Sequence, residues 1–284
     1  MILYKKEADL RNYLDIQEKK DKKIGFVPTM GALHPGHVAL VTASKKDNSI
    51  TVCSIFVNPS QFNDPKDFKK YPVTIENDIM MLESSGCDIL FLPSVAEIYP
   101  NGTTGHTNYD LGYLETILEG KYRPGHFQGV CMVMHRLLDI VKPDNLYLGQ
   151  KDYQQCMIIT KLIDLIGMKD SIRVIICPTL REPDGLAMSS RNLRLNNAER
   201  EKAPAIYQAL NYMKNNLQKG SLLQLIANAR TKLHGQGFKA DYIEIVDAAT
   251  LQPVNEWDGK QKLVMLAAAF LNEVRLIDNM VLNS

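Results

Sequence analysis

The feature that most constrains this chain of 284 residues is an alternation of short β-branched runs with longer helical patterns across its first two thirds. Strand-like runs occupy residues 24–27, 50–57, 88–92, 145–148 and 173–177, with helical patterns at residues 38–46, 75–85, 130–141 and 153–166. This alternation predicts βαβ units, and therefore an α/β fold with a Rossmann-like parallel sheet and helices on both faces. Ligands of such sheets bind at the carboxyl ends of the strands, so the loops there are the first candidates for a site.

The pattern changes near residues 176–186, where we expect a domain boundary. Helical patterns follow at residues 198–218 and 222–234, and strand-like runs at residues 242–246, 263–270 and 274–277. Helices followed by strands predict a small α+β unit. The sequence therefore predicts a larger domain over residues 1–178 and a smaller C-terminal α+β domain over residues 179–284.

Composition argues against several classes of protein. Lys and Arg number 33 against 32 Asp and Glu, so the basic excess typical of nucleic-acid-binding proteins is missing. No apolar run approaches the length of a membrane span, and the N-terminus does not read as a signal peptide. The five cysteines form no C-x-x-C pair, which predicts buried free thiols. We expect a cytoplasmic protein that binds neither nucleic acid nor membrane.

A histidine motif, PTMGALHPGH, follows the first predicted strand at residues 28–37. Pro35 favours the first turn of a helix, and Gly36 lets a ligand approach the backbone. His34 and His37 project to one side of the helix start, beside backbone amides that attract anions. The motif predicts a site that binds the phosphates of ATP and stabilises charge in the transition state. Structural histidines and metal ligands are the alternatives, although no third ligand is evident.

A second motif, LAMSSR, lies at residues 186–191. The hydroxyls of Ser189 and Ser190 and the guanidinium of Arg191 can close over a triphosphate. Taken alone, the segment reads more readily as a solvated turn. An early HxGH with a late MSS(K/R), however, is the signature pair of adenylate-forming nucleotidyltransferases. Dehydrogenase, P-loop and α/β-hydrolase functions lose support, because G-x-G-x-x-G, Walker A and G-x-S-x-G motifs are missing.

Polar residues follow two further predicted strands. After residues 145–148, Gly149 permits close approach of a nucleoside, Lys151 suits a phosphate, and Asp152 suits a ribose hydroxyl. Gln155 is expected to face the same cleft, and the alternative for the segment is a polar helix cap. After residues 50–57, the neutral amides of Asn58 and Gln61 can orient a small hydroxy acid, with a simple turn as the alternative. For His126, downstream in RPGHF, we expect a structural role.

Several blocks taken together closely resemble the pantothenate synthetase family: PTMGALHPGH, SIFVNPSQF, EIYPNG, LEGKYRPGHFQGV, GQKDYQQ, DGLAMSSRN and RLIDN. They run from about residue 24 to residue 279 in the family's order. The resemblance implies ATP-dependent condensation of pantoate with β-alanine through a pantoyl-adenylate, releasing AMP and pyrophosphate. It also implies Mg²⁺ bound through the phosphates, without dedicated protein ligands, and a homodimer.

The resemblance further implies roles for individual residues. His34, His37 and Lys151 are expected to be catalytic, with His37 as the proton donor, and Asn58, Gln61 and Gln155 to bind pantoate and β-alanine. The ATP-binding residues are expected to be Met30, Gly31, Ala32, Leu33, His34, Pro35, Gly36, His37, Gly149, Gln150, Lys151, Asp152, Leu180, Met188, Ser189, Ser190 and Arg191. The chain departs from the family at Pro35 and Gln150, where acidic residues are common.

Two alternatives to this function remain open at the level of sequence. Another nucleotidyltransferase of the same superfamily would share the histidine motif but would not explain Gln61, Gln155 and the flanking blocks. A non-catalytic nucleotide-binding regulator would bind ATP without releasing pyrophosphate, and the presence of His34, His37 and Lys151 argues against it.

Overall fold

The computed structural model describes residues 1–103 and 108–282. Contacts between residues group the chain into two compact units. The first unit comprises residues 1–150 and 154–178, and the second comprises residues 151–153 and 179–284. Within the described residues, every helix is too short or too polar to cross a bilayer.

The first unit contains a six-stranded parallel sheet. Its strands are β1 (Ile2–Tyr4), β2 (Ile24–Thr29), β3 (Ile50–Ile55), β4 (Ile89–Phe91), β5 (Asn145–Gly149) and β6 (Arg173–Cys177). Its helices are α1 (Glu7–Glu18), α2 (Pro35–Asp47), α3 (Pro65–Lys69), α4 (Ile75–Ser84), α5 (Val95–Ile98), α6 (Leu118–Tyr122), α7 (His126–Val141) and α8 (Tyr153–Leu165), with 3-10 turns at Pro59–Gln61 and Gly112–Glu115. A further 3-10 turn, Gln150–Asp152, precedes α8, and residues 151–153 are grouped with the second unit. The strand order is β1-β4-β3-β2-β5-β6.

Successive residues of the central strands belong to two different hydrophobic clusters, because side chains of a strand alternate between faces. Phe26 of β2 packs in the cluster that contains residues of α1, α7 and α8, whereas Val27 packs in the cluster with residues of α2 and α4. In β5, Leu146 and Tyr147 divide in the same way. Helices therefore cover both faces of the sheet, which confirms the predicted α/β fold.

The second unit contains a three-stranded antiparallel sheet in the order β11-β10-β8 and a two-stranded sheet of β7 and β9. Its elements are α9 (Asn197–Lys202), α10 (Ala205–Asn215), α11 (Leu223–Gly235), β7 (Gly220–Ser221), β8 (Phe238–Asp247), β9 (Glu256–Trp257), β10 (Leu263–Leu271) and β11 (Val274–Leu282), with a 3-10 turn at Ser190–Arg194. Apolar residues of α10 and α11, such as Leu210 and Leu233, pack in one cluster with Met265 of the sheet.

The structure differs from the secondary-structure prediction in several elements. The single helical pattern predicted over residues 198–218 is two helices, α9 and α10, that are separated at Ala203 and Pro204. Proline lacks the backbone N–H that a helix interior requires, so it starts a new helix more readily than it continues one. The prediction also missed β1 and α1, the short helices α3, α5 and α6, and the strands β7 and β9. All of these except α1 have five residues or fewer, which is too short to show a clear hydrophobic period.

Candidate active site

The histidine motif forms the turn between β2 and α2. Pro35 is the first residue of α2, as the sequence indicated, and His34 is its N-cap. Nδ1 of His34 accepts a hydrogen bond from the Gly36 N–H at 3.2 Å, and Nδ1 of His37 accepts one from the His34 N–H at 3.3 Å. Since both Nδ1 atoms are acceptors, the proton of each neutral imidazole is on Nε2, which is the kind of donor that a phosphate oxygen requires. The two ring centroids are 4.0 Å apart.

A buried carboxylate holds the backbone just before these histidines. Oδ2 of Asp78 in α4 accepts the N–H of Ala32 at 2.9 Å, and Oδ1 accepts the N–H of Leu33 at 2.8 Å. The Thr74 hydroxyl donates to Oδ1 at 2.9 Å. Ala32 has a φ of +48°, a left-handed conformation that is unfavourable for a residue other than glycine. The hydrogen bonds to Asp78 stabilise this unusual turn. Asp78 was not predicted from the sequence, where the only indication of its role is an acidic residue within the apolar pattern of α4.

The turn after β2 lies at the point of the sheet where the direction of the strand connections reverses. β3 pairs with one side of β2 and β5 with the other, so connections run in opposite directions from this point. Open α/β sheets bind ligands in the crevice at the carboxyl ends of such strands. Met30 follows β2 directly, and Gln150 follows β5 directly. The predicted nucleotide residues of the first unit therefore lie where the topology favours a ligand.

Asn58 and Gln61 belong to a buried chain of directional hydrogen bonds. The Tyr99 hydroxyl donates to Asn58 Oδ1 at 2.9 Å, and the Ser60 N–H donates to the same oxygen at 3.3 Å. Asn58 Nδ2 then donates to Gln61 Oε1 at 3.1 Å and to the Gly129 carbonyl at 3.0 Å. Asn58 is 1% exposed and Gln61 is 8% exposed. Burial raises the pKa of Tyr99, and a hydrogen bond with Ser60 lowers it by less. The hydroxyl of Tyr99 therefore stays protonated and can donate a hydrogen bond.

This chain of bonds determines which way the Gln61 amide faces. Its oxygen accepts from Asn58, so its Nε2 is the donor on the other side, where it lies 3.1 Å from the sulfur of Met30. An N–H donor at this position suits a carboxylate or hydroxyl oxygen of a small ligand. His126 stabilises the same residue through the backbone, because its Nδ1 donates to the Gln61 carbonyl at 2.8 Å. His126 is 5% exposed, in agreement with the structural role expected from the sequence.

Of the two adjacent glutamines in α8, one is structural. Gln154, which the sequence analysis passed over, is 3% exposed and donates to the carbonyls of Leu114 and Ile117 at 2.7 and 3.0 Å. Its oxygen accepts the Glu119 N–H at 3.0 Å. Gln155 is half-buried and makes no side-chain hydrogen bond within the described residues. Its amide is therefore available to a ligand, although among the described residues it forms no hydrogen bond with Asn58 or Gln61.

The Lys151 segment is grouped with the second unit. Lys151 and Asp152 lie in the 3-10 turn that precedes α8, with Nζ of Lys151 3.7 Å from Oδ1 of Asp152. The backbone carbonyl of Lys151 accepts a hydrogen bond from Asn279 Nδ2 at 2.8 Å. The Tyr153 hydroxyl donates to the Ala248 carbonyl at 2.7 Å. The segment is thus fixed at two points, with an ammonium group on it that suits a phosphate.

The LAMSSR segment begins within a tight hairpin. The Met188 N–H donates to the Leu180 carbonyl at 3.0 Å, which closes the hairpin, and Gly185 at its turn has a φ of +92°. Ser189 then caps the 3-10 turn Ser190–Arg194 by accepting the Arg191 N–H at 3.3 Å. Ser190 is buried, whereas Ser189 and Arg191 are half-buried. The structure therefore brings the two serines and the arginine together on one short turn.

Two buried oxygens near this segment have no hydrogen-bond partner within the described residues: Thr179 Oγ1 and Asn192 Oδ1. Buried polar atoms are rarely left unpaired in folded proteins. Two such atoms, one before the hairpin and one just after Arg191, are consistent with a segment that completes its hydrogen bonds on a ligand.

The five cysteines are free thiols. Four cysteines are buried, as predicted, and Cys177 is half-buried. Burial raises the pKa of Cys87 to about 11 and that of Cys131 to about 12, so both are neutral thiols at pH 7. Among residues 1–103 and 108–282, no group of three or more His, Cys, Asp or Glu side chains is arranged to hold a metal ion. The two reciprocally capped histidines, at the start of the helix that follows β2 of a parallel α/β sheet, are typical of ATP-using enzymes of the nucleotidyl-transfer class.

The comparisons with known proteins narrow this class to one family. The family model described as pantoate-beta-alanine ligase matches residues 2–281, and the chain belongs to this family. A pantothenate synthetase from Cytophaga hutchinsonii is 44% identical over 276 residues, covering 96% of each chain.

Solved structures agree with this assignment. A pantothenate synthetase from Thermus thermophilus superposes with a TM-score of 0.90 at 39% identity, covering 99% of each chain. A pantoate-beta-alanine ligase from Francisella tularensis, complexed with beta-gamma ATP and beta-alanine, has a TM-score of 0.81 at 39% identity. The match covers 99% of this chain and 97% of that one.

Proposed function

We propose that this chain joins pantoate to β-alanine at the expense of ATP, through a pantoyl-adenylate. The reciprocal capping of His34 and His37 at the divergence of the sheet carries the proposal, because it presents two Nε2 donors beside a helix start. The family and the ligands of the Francisella tularensis relative supply the substrates.

In the first step, a carboxylate oxygen of pantoate forms a bond with the α-phosphorus of ATP. The bond between that phosphorus and the bridging oxygen breaks, and pyrophosphate leaves. His37 Nε2–H and the Lys151 ammonium stabilise the negative charge that develops on the phosphates, with His34 beside them. Met188, Ser189, Ser190 and Arg191 donate to the phosphates through their backbone and side chains. Mg²⁺ held by the phosphates would neutralise further charge, and the described residues offer no separate protein cage for it.

In the second step, the amine of β-alanine attacks the acyl carbon of pantoyl-adenylate, and AMP leaves. The carboxylate of pantoate alone is a poor electrophile, and adenylation gives it a good leaving group. Gln61 binds pantoate and β-alanine through its Nε2 donor, whose direction is set by Asn58 and Tyr99. Gln155 adds a second amide contact to pantoate. We further propose a homodimer, which light scattering on the purified protein tests.

Pyrophosphate release is the direct test. Purified protein is mixed with ATP and Mg²⁺, first with pantoate alone and then with pantoate and β-alanine. We expect one burst of pyrophosphate with pantoate, followed by steady formation of AMP when β-alanine is added. Release with other carboxylates but not with pantoate would contradict the substrate assignment. Binding of ATP without any release would favour a regulator that has lost catalysis.

A further inference from the structure

Strand β11 carries two adjacent buried polar residues at its centre. Asp278 is 2% exposed and Asn279 is 1% exposed. Burying polar groups is unfavourable unless they are hydrogen-bonded, so we examined the hydrogen-bond partners of both side chains. Successive side chains of a strand point to opposite faces, and these two consequently contact different segments of the second unit. The mechanism above assigns a role to neither.

Asp278 binds the hairpin in which the LAMSSR segment begins. Nη1 of Arg181 lies 2.6 Å from Asp278 Oδ2, and Nη2 lies 2.9 Å from Oδ1. The same guanidinium donates to the Gly185 carbonyl at 3.0 Å and to the Asn279 carbonyl at 3.1 Å. It also lies 4.5 Å from the centre of the Tyr207 ring. Arg181 is therefore held from several directions, which limits how far the hairpin can move.

Gly185 completes this arrangement at the turn of the hairpin. A Cβ atom at this position would lie 2.1 Å from the ring of Tyr207, and the φ of +92° disfavours any other residue. The turn is thus packed directly against the ring that also contacts Arg181.

Asn279 binds the other phosphate-directed segment of the second unit. Its Nδ2 donates to the backbone carbonyl of Lys151 at 2.8 Å. In the sheet, Asp278 pairs with Ala267 and Asn279 with Leu266 of β10, in the centre of a ladder of nine paired residues. Both contacts therefore start from adjacent residues of one well-paired strand.

We propose that Asp278 and Asn279 are a positioning pair that fixes the LAMSSR segment and Lys151 relative to each other. Asp278 acts through Arg181 and the hairpin, and Asn279 acts through the carbonyl of Lys151. The proposal rests on the proposed function, in which both segments contact the phosphates of ATP. Small displacements of such groups cost large factors in rate, because the transition state is stabilised only at the correct distance.

The test compares Asn279→Ala with a matched control on the same strand. Arg275 of β11 forms a half-buried ion pair with Asp241 of β8 at 2.8 Å, and the proposed function assigns no role to either residue. We expect Asn279→Ala to lower the single-turnover rate of pantoate-dependent pyrophosphate release about 10-fold, with a smaller change in the KM for pantoate. Asp241→Asn should leave that rate near wild type while lowering the melting temperature comparably.

A double-mutant cycle separates positioning from general stabilisation. If Asn279 acts through Lys151, Asn279→Ala should cause little further loss of rate in a Lys151→Ala background. A full additional 10-fold loss there would overturn the proposal. The Asp278 arm uses Asp278→Asn in an Arg191→Ala background in the same way. Its folding is checked by circular dichroism, and the Asn279 arm decides alone if that variant does not fold.

The outcomes also separate this inference from the proposed function. A wild-type protein that releases no pyrophosphate with pantoate contradicts the proposed function itself. A wild-type protein that is active, with an Asn279→Ala variant no slower than the Asp241→Asn control, contradicts the positioning role alone.

Discussion

The histidine segment of the first unit and the serine–arginine segment of the second unit are each anchored by a buried aspartate, but in different ways. Asp78 accepts two backbone N–H groups and one hydroxyl, all neutral. Asp278 instead forms a two-pronged ion pair with Arg181. The histidine segment also has its own reciprocal cap, whereas the hairpin depends on a strand 97 residues away. Local interactions thus contribute more to the first segment, and distant ones more to the second.

The largest expected effect on stability comes from removing the charge of the second anchor. Asp278→Asn leaves Arg181, whose side chain is 20% exposed, without a counterion. Breaking a buried ion pair on one side typically costs several kcal/mol, so we expect the free energy of unfolding to fall by about 3 kcal/mol. Urea unfolding at pH 7 measures the change. A loss below about 1 kcal/mol would mean that the hairpin does not depend on this pair.

The next largest effect is on rate, within the histidine segment. His37→Ala removes one Nε2 donor and one half of the cap, and we expect the adenylation rate to fall about 10²-fold or more. Single-turnover release of pyrophosphate measures it. His234→Ala, at an exposed position in α11, is the control and should leave the rate unchanged. A His37→Ala rate within a few-fold of wild type contradicts the role given to this residue.

A smaller effect is expected at the first anchor. In Asp78→Asn the amide NH₂ faces a backbone N–H, so one of the two backbone bonds is lost, but no buried charge is left behind. Hydrogen bonds to a charged group contribute about 1.5–3 kcal/mol each, and we expect a loss of about 2 kcal/mol in urea unfolding. The comparison of the two anchors predicts that Asp278→Asn is the more damaging substitution. If Asp78→Asn caused the larger loss of stability, the turn at Ala32 would depend on its hydrogen bonds to Asp78 more than the hairpin depends on its ion pair with Asp278.

The contrast between the two segments also explains what could be predicted from the sequence. The helix start at Pro35 and the approach of two histidines follow from spacing within one turn, so they were predictable. Strand alternation likewise predicted the α/β sheet. Asp78 and Asp278 were not predictable, because an aspartate in a helix or strand gives no local sign of being buried. Asp78 binds the backbone of a turn about 45 residues away, and Asp278 binds an arginine 97 residues away, so only the fold brings these partners together.

The same limit applies to the amide cluster. The residue types of Asn58 and Gln61 suggested a small-ligand pocket, but the direction of each amide depends on Tyr99, 41 residues from Asn58. Likewise, the sequence could not distinguish the structural Gln154 from its neighbour Gln155, since the distinction depends on carbonyls of residues 114 and 117.

The smallest expected effect tests whether the hairpin is also held from its surface. Asp184 in the turn lies 2.5 Å from Arg200, and both side chains are more than one third exposed. The hydrogen bond from Arg200 lowers the pKa of Asp184. Because the folded pKa is below the unfolded value of about 3.9, the pair stabilises the protein above that pH and loses its effect as the pH falls through the lowered pKa.

Arg200→Gln should therefore cost at most about 0.5 kcal/mol at pH 7, since exposed ion pairs are well solvated. The difference from wild type should shrink as the pH falls below the unfolded pKa of about 3.9, which urea unfolding at pH 7 and at acidic pH measures. Lys6→Gln, which removes another surface ion pair with Glu97, is the control for a general effect of charge. If Arg200→Gln, but not Lys6→Gln, lowered the free energy of unfolding by more than about 1 kcal/mol, the ion pair between Asp184 and Arg200 would stabilise the hairpin in addition to Asp278. The hairpin would then be anchored from two sides, and its dependence on the distant strand would be correspondingly weaker.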